Sequence, residues 1–231
     1  MEKHTYRLGV TKKIRRHLRT LEIDQPFTTR ELLNYGNRSA IDNCIYRMIQ
    51  EGEIHRITRG VFVRAKTFGG KRPYYTQREI AEIKANSFGR KLQTHPFKKA
   101  KEIAVRLGLI KPGQKWIKEC DEFESTYEIS GPSSSFLFDG KRIYFKKTTR
   151  RKIQLGDSRA GLVIRALWYN GFWNRFALWG FEAQRKAYQG LYGLDRREIH
   201  ESSALMPAWL SDILNLDNND NFVPGRAIIA A

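Results

Sequence analysis

Apolar and polar positions alternate along this chain at two different periods, and the changes of period mark its elements. Ile14, Leu18 and Leu21 stand at i, i+4 and i+7, which predicts an amphipathic helix over residues 11–21. Its outer face is basic, with Lys12, Lys13, Arg15, Arg16 and Arg19. Asp24-Gln25-Pro26-Phe27 reads as a link. Thr28-Thr29-Arg30-Glu31 then reads as a capping box, in which a hydroxyl caps a new helix and a carboxylate three residues on reaches back. Leu32 and Leu33 give that short helix an apolar face, and Tyr35-Gly36-Asn37 ends it, because Gly and Asn tolerate the left-handed conformation that stops a helix. Ser39 is placed to cap the next helix. There Ile41, Cys44, Ile45, Met48 and Ile49 form one stripe at helical spacing, and Gly52 stops it. Ile54 and Ile57 lead into a strand, Thr58-Arg59-Gly60 into a turn, and Val61-Phe62-Val63 into a returning strand. Two short helices, a tight turn and a hairpin over residues 28–64, supported by the helix before them, predict a winged helix-turn-helix.

Phe68-Gly69-Gly70-Lys71-Arg72-Pro73 breaks the pattern and sets the expected domain boundary: 1–66 a winged helix-turn-helix, 67–231 a second, α+β domain. Thr76-Gln77-Arg78-Glu79 is a second capping box, opening a helix to about Ser87 with Ile80 and Ile83 inward. Pro96 suits the first turn of a helix over 96–107, with Ala100, Ile103, Ala104 and Leu107 as its apolar face and Gly108 as its stop. Residues 126–155 change to strand spacing. Ser135–Phe138 and Lys141–Phe145 flank Asp139-Gly140, a strong hairpin signal, and Lys152–Leu155 reads as a third short strand. Residues 158–170 return to helical spacing, with Leu162, Val163, Ala166 and Leu167 inward and Gly171 as the stop; Ala204–Leu214 reads as one more helix, with Pro207 near its start. The fold class expected is therefore α+β: an N-terminal winged helix-turn-helix followed by a mixed α/β C-terminal domain with a small antiparallel sheet.

Charge narrows the partner. The 231 residues carry a formal net charge of +18, which favours an anionic partner. The excess is uneven: residues 1–66 hold 14 Lys and Arg against 7 acids, residues 67–118 hold 13 against 3, and residues 119–231 hold 15 against 14. A charge serving only solubility has no reason to avoid the second half. The face of the predicted second helix opposite its apolar stripe carries Arg38, Ser39, Asp42, Asn43, Tyr46, Arg47 and Gln50. Alone, that is also what a solvated face looks like. Followed at once by a hairpin with His55, Arg56, Arg59, Arg64 and Lys66, it points to DNA, because these side chains bond phosphates and base edges. The DNA-binding residues expected are Arg38, Ser39, Asn43, Tyr46 and Arg47 on the helix, Arg56, Arg59, Arg64 and Lys66 on the wing, and Lys71 and Arg72 on the basic strip beyond it. Asn43 suits adenine and Arg47 guanine.

Little else carries chemistry. The five histidines and two cysteines lack metal-ligand spacing, and no phosphate-binding glycine loop is present. The acids Asp121, Glu122, Glu124 and Glu128, with Lys146 beyond, are a weak nuclease signal, since such clusters are usually exposed loops. The aromatics Phe172, Trp173, Phe176, Trp179, Phe181, Tyr188, Tyr192 and Trp209 are read as a helical core in preference to a base-stacking platform, because no cations interleave them at regular spacing. No enzyme activity, cofactor or metal is expected. No run approaches 18 apolar residues and no apolar segment follows Met1-Glu2-Lys3, so no membrane span or secretory signal is expected. Cys44 falls on the buried stripe and Cys120 has no framework around it, which fits a cytoplasmic setting.

Three segments together resemble the AbiEi-like antitoxin and transcriptional regulator family of abortive-infection systems. The first ends Glu51-Gly52-Glu53-Ile54-His55-Arg56-Ile57-Thr58-Arg59-Gly60-Val61-Phe62. The second runs from Ile80-Ala81-Glu82 through Ala85, Phe88 and Gly89 to Ala104 and Leu107-Gly108-Leu109. The third is Tyr127-Glu128-Ile129-Ser130-Gly131-Pro132-Ser133, leading through the hairpin to Arg159–Leu167. They cover roughly residues 10–170, and Met206–Leu210 extends them. The resemblance implies a winged helix that binds inverted repeats in its own promoter and represses, and a C-terminal domain that counters a nucleotidyltransferase-like toxin. The unusually basic segment 67–118 departs from that pattern and leaves open a solitary regulator without a toxin. An RNA-binding or nucleic-acid-processing protein is the alternative. Oligomeric state, monomer or weak dimer, is not legible.

Overall fold

A computed structural model describes residues 9–65, 73–106, 125–171, 201–208 and 210–211. The fold is mixed α/β with small sheets and N-terminal helices. It divides into two compact units, one of Met1–Thr94 with Asp121–Thr149, the other of His95–Cys120 with Arg150–Ala231.

The first unit begins with helix α1 (Val10–Thr20), which buries Ile14 and Leu18 at the expected spacing. The expected link is in part a strand, β1 (Pro26–Thr28). The Thr28 box exists: Thr28 N donates to Glu31 Oε1 at 3.1 Å and Glu31 N to Thr28 Oγ1 at 3.4 Å. What it caps is a single 3-10 segment, Glu31–Tyr35, in place of an α-helix. Gly36 is extended, with φ 174°, so left-handed freedom is not its role. A Cβ there would lie 2.8 Å from Val10 Cγ2, so glycine lets this bend pass against α1. Helix α2 (Arg38–Gln50) follows, capped by Asn37, whose Oδ1 accepts from Ala40 N at 2.8 Å; the expected cap, Ser39, is inside the helix.

Strands β2 (Ile54–Thr58) and β3 (Val61–Arg64) form the expected hairpin, and β1 pairs antiparallel with the far edge of β3, giving the order β1-β3-β2. Ile14, Leu18, Phe27, Leu32, Ile41, Cys44, Ile45, Met48, Ile54 and Phe62 make one core. Burying side chains of this size contributes about 1.5–3 kcal/mol each, and this holds α2 with one face inward.

The same unit continues into helix α3 (Gln77–Ser87), where the Thr76 capping box is complete. Its remaining strands are β4 (Leu92–Thr94), β5 (Thr126–Ile129), β6 (Ser134–Phe138) and β7 (Lys141–Lys147), ordered β4-β5-β7-β6. This sheet is antiparallel except between β5 and β7, which run parallel. Asp139 and Gly140, at φ 48° and 70°, form the β6–β7 turn, as two successive positive φ values in a two-residue hairpin loop require. A second core joins Ile80, Ala81, Ala85, Tyr127, Ile129, Phe136, Ile143 and Phe145.

The division does not fall at 66/67, and long-range packing is the reason. Ile57 of β2 packs against the second core. Thr58 Oγ1 donates to Leu137 O at 2.6 Å, Lys84 Nζ to Arg59 O at 2.7 Å, and the Tyr75 hydroxyl to Asp24 O at 2.6 Å. Burial of that phenol pushes its pKa up to about 12, with the negative charges of Asp24 and Glu79 adding to the shift.

The second unit contains α4 (Phe97–Arg106), α5 (Arg150–Leu155), α6 (Arg159–Gly171) and a 3-10 turn, Ser203–Leu205. The strand expected at Lys152–Leu155 is thus helix α5. Four residues cannot separate a period of 2 from one of 3.6, and packing of Ile153 and Leu155 decides it. Helix α6 buries Val163, Ala166 and Leu167 as expected, and also Arg165, whose Nη2 donates to Gly156 O at 2.9 Å and Asp157 Oδ1 at 2.6 Å. The edges of His95 and Phe97 meet Tyr169. The expected features at Leu107, Gly108 and residues 172–200 lie outside the described residues, as do Trp209 and the end of the expected helix Ala204–Leu214.

Candidate nucleic-acid interface

Helix α2 presents the surface that its periodicity implies. Ile41, Cys44, Ile45 and Met48 are buried on one side. Arg38, Ser39, Asp42, Asn43, Tyr46, Arg47 and Gln50 are exposed on the other, Tyr46 to 63%. Two of the expected DNA-binding residues already have partners within the helix. Arg38 Nε lies 3.0 and 2.8 Å from the two carboxylate oxygens of Asp42, one turn on. Arg47 Nε reaches back to the carbonyl of Asn43 at 3.4 Å, which lays the guanidinium along the outer face. Asn43 and Tyr46 keep their polar atoms toward solvent, as exposed side chains do.

The end of α2 is pinned. Arg15 of α1 donates from Nε to Glu53 Oε2 at 3.0 Å and from Nη2 to both Glu51 and Glu53. The bond to Glu53 raises the Arg15 pKa, and the same bond holds the Glu53 carboxyl below its ordinary value, so the two partners agree in direction. Arg15 therefore serves the fold, while Lys12, Arg16 and Arg19 on the same helix stay exposed.

The hairpin divides its cations in the same way. Arg56 is exposed, its guanidinium 5.7 Å from the Phe62 ring centroid, and Arg59 stands exposed at the turn. Arg64 is half-buried and donates from Nη1 to Leu18 O at 3.3 Å, closing an open carbonyl near the end of α1. It docks the hairpin instead of extending from it. Lys66, Lys71 and Arg72 lie outside the described residues. The tip is braced from below by Lys84, half-buried on α3, whose bond to the Arg59 carbonyl holds the turn while its ammonium lies 4.6 Å from the Phe136 ring centroid. Burial and then repulsion from Arg59 lower the Lys84 pKa.

Several residues of this surface escape a reading of the sequence. Asp42 reads there as one more polar residue of the face, although its i,i+4 spacing to Arg38 is the signature of an intrahelical ion pair. Arg30 and Arg90 each bring a guanidinium carbon to 4.8 Å from the ring centroid of Phe88. No local signal announces that, since Arg30 and Phe88 are far apart in the chain.

Nothing here is arranged for bond-making. Among the described residues no group of three or more His, Cys, Asp or Glu is placed to hold a metal ion. Of the acids considered for a nuclease, Glu128 is buried and accepts from Gln93 Nε2 at 2.7 Å, and Asp121, Glu122 and Glu124 lie outside the described residues. No helix among the described residues is long and apolar enough to cross a membrane. Comparison with protein-family models, with curated proteins and with solved structures finds no match to this chain.

Proposed function

We propose that residues 9–65 are a winged helix-turn-helix and that the protein is a DNA-binding transcriptional regulator acting in the cytoplasm, a binding protein and not an enzyme. One observation carries this reading: a helix whose inner face is locked in a core presents arginines, Asn43 and Tyr46 outward, and a basic hairpin follows it directly. The element order supports it, with β1 between the first two helical segments and pairing back onto the hairpin. Helix α2 has 13 residues, so it is roughly 20 Å long, and a helix fits a major groove about 12 Å wide. In this reading Arg38, Ser39, Asn43, Tyr46 and Arg47 face the groove, and Arg56 and Arg59 face phosphate or minor groove beside it. Because α2 is pinned by Arg15, these side chains approach a duplex already positioned.

Anisotropy titrations on duplex DNA test the assignment. Arg47→Ala and Arg59→Ala should each weaken binding and flatten the slope of log affinity against log salt by about 0.9 for every phosphate no longer neutralised. Affinity and slope unchanged in both variants would refute it. The resemblance to AbiEi-like regulators extends the proposal to an autorepressing antitoxin, with double-stranded promoter DNA as one partner and a nucleotidyltransferase-like toxin as the other. Co-expression with the product of a neighbouring reading frame tests that second role: rescue of growth supports it, and failure to rescue from a toxic neighbour counts against it.

A further inference from the structure

The cations of the hairpin tip do not end at Arg59. Thr29 N donates to Gly60 O at 3.1 Å, so the segment bearing Arg30 lies against the tip. Lys84 of α3 bonds the Arg59 carbonyl, and Phe88 stands four residues further on, at the end of α3 and one helical turn away. Arg30, from one side of the chain, and Arg90, from the other, both converge on the Phe88 ring. The result is a continuous patch of Arg30, Arg59, Lys84, Phe88 and Arg90 within one compact unit.

Three features of this patch call for an anion. Two guanidiniums are held on one ring although like charges repel, and among the described residues neither has a carboxylate within ion-pair distance. Phe88 is 51% exposed, so the ring is open to solvent and not core packing. Arg90 is also confined at its stem: a Cβ on Gly131 would lie 2.5 Å from Arg90 Nε, so the glycine makes room for that side chain and fixes its course. Planar guanidiniums set in place in advance match phosphate oxygens, and a half-exposed ring between them suits the apolar face of a sugar.

We infer that Arg30, Phe88 and Arg90 form a second contact with nucleic acid, gripping the duplex sugar-phosphate backbone next to the segment held by the hairpin tip. This inference rests on the DNA-binding reading and adds a surface outside the recognition helix and hairpin. The contact is to backbone alone, so it adds affinity without sequence preference.

The test uses the full chain and three variants: Arg30→Gln with Arg90→Gln, the same pair changed to Lys, and Arg47→Ala as reference. Each is titrated by anisotropy onto a mixed-sequence duplex over a range of salt, after a thermal melt confirms that it folds as the parent does. The double Gln variant should flatten the salt slope by about 1.8, two phosphates at about 0.9 each. Affinity near 0.15 M salt should fall roughly 25-fold, equally on unrelated sequences. The double Lys variant, which keeps the charge, should recover most of the slope. If the parent binds duplex and Arg47→Ala weakens it while the double Gln variant binds as the parent does, the second contact is overturned and the DNA-binding reading stands. If the parent binds no duplex, both fall. If the double Gln variant loses binding only to an acidic protein and not to duplex, the patch is a protein-docking surface and the inference is overturned.

Discussion

Replacing Asp42 with Asn isolates one charge on the exposed face of α2. Arg38 now sits on Asp42 with its Nε 3.0 and 2.8 Å from the two carboxylate oxygens. Both side chains are at least half exposed, 64% and 50%, so water screens the pair and it contributes only a few tenths of a kcal/mol to stability, about 0.3–0.5. Losing it should lower the melting temperature by about 2 °C or less. The effect on DNA should be larger and of opposite sign. Binding no longer has to separate Arg38 from its carboxylate, and a negative charge facing phosphate is gone. If Arg38 then neutralises one more phosphate, the salt slope steepens by about 0.9, which near 0.15 M salt corresponds to about fivefold tighter binding. Anisotropy on one duplex at four or five salt concentrations, beside a thermal melt, measures both quantities. Tighter binding with an almost unchanged melt is the expected result. An unchanged slope would remove Arg38 from the residues that touch phosphate. Weaker binding would mean that Asp42 itself accepts from a base, and would refute the reasoning from charge.

Three further outcomes probe the scaffold. Arg15→Gln should cost about 1 kcal/mol near neutral pH, two partly exposed pairs discounted for screening. Because Arg15 depresses the Glu53 pKa, the contribution is complete above the unfolded carboxyl pKa of about 4.3 and is lost as pH falls through the lower folded value, so the difference between parent and variant should close below about pH 4. Urea unfolding at both ends of that range measures it, and an equal difference throughout would contradict the assignment. Thr76→Ala removes the hydroxyl that accepts from Glu79 N at 3.2 Å and should destabilise by about 1 kcal/mol in the same assay, with Thr76→Ser close to neutral. Gly36→Ala drives a methyl toward Val10 Cγ2 and should destabilise by about 1–3 kcal/mol. Adding Val10→Ala should recover part of the loss, and additive penalties in the double variant would show that the two residues do not meet.

What is legible in the sequence follows from the range of the forces involved. The α2 stripe, the Thr76 box and the Asp139-Gly140 turn are local, each decided by residues within a turn or two, and the structure has them where the pattern places them. Pro26–Thr28 and Leu92–Thr94 are strands of three residues, too short for alternation to register, and exist because β3 and β5 offer partners. Gly36 reads as a helix stop because the local chain admits that role, whereas its constraint comes from Val10. The unit boundary escapes a local reading for the same reason. It depends on Ile57 and on Thr58 reaching Leu137, 79 residues away, while the glycine-rich break at 68–70 advertises a separation nearby. At the interface, helical period is enough to place the outer face of α2. It cannot show that Arg64 turns to Leu18, that Lys84 braces the hairpin, or that Arg30 and Arg90 meet on Phe88, since these are products of packing.

A competition titration tests the duplex-binding role most directly. A labelled duplex bound to the full chain is displaced with unlabelled duplex, with single-stranded DNA of the same sequence and with a structured RNA of equal phosphate count, at one fixed salt concentration. Duplex should compete best, and Arg47→Ala should reduce its advantage over single strands. Displacement by single-stranded DNA or RNA at lower concentration than by duplex would contradict that role.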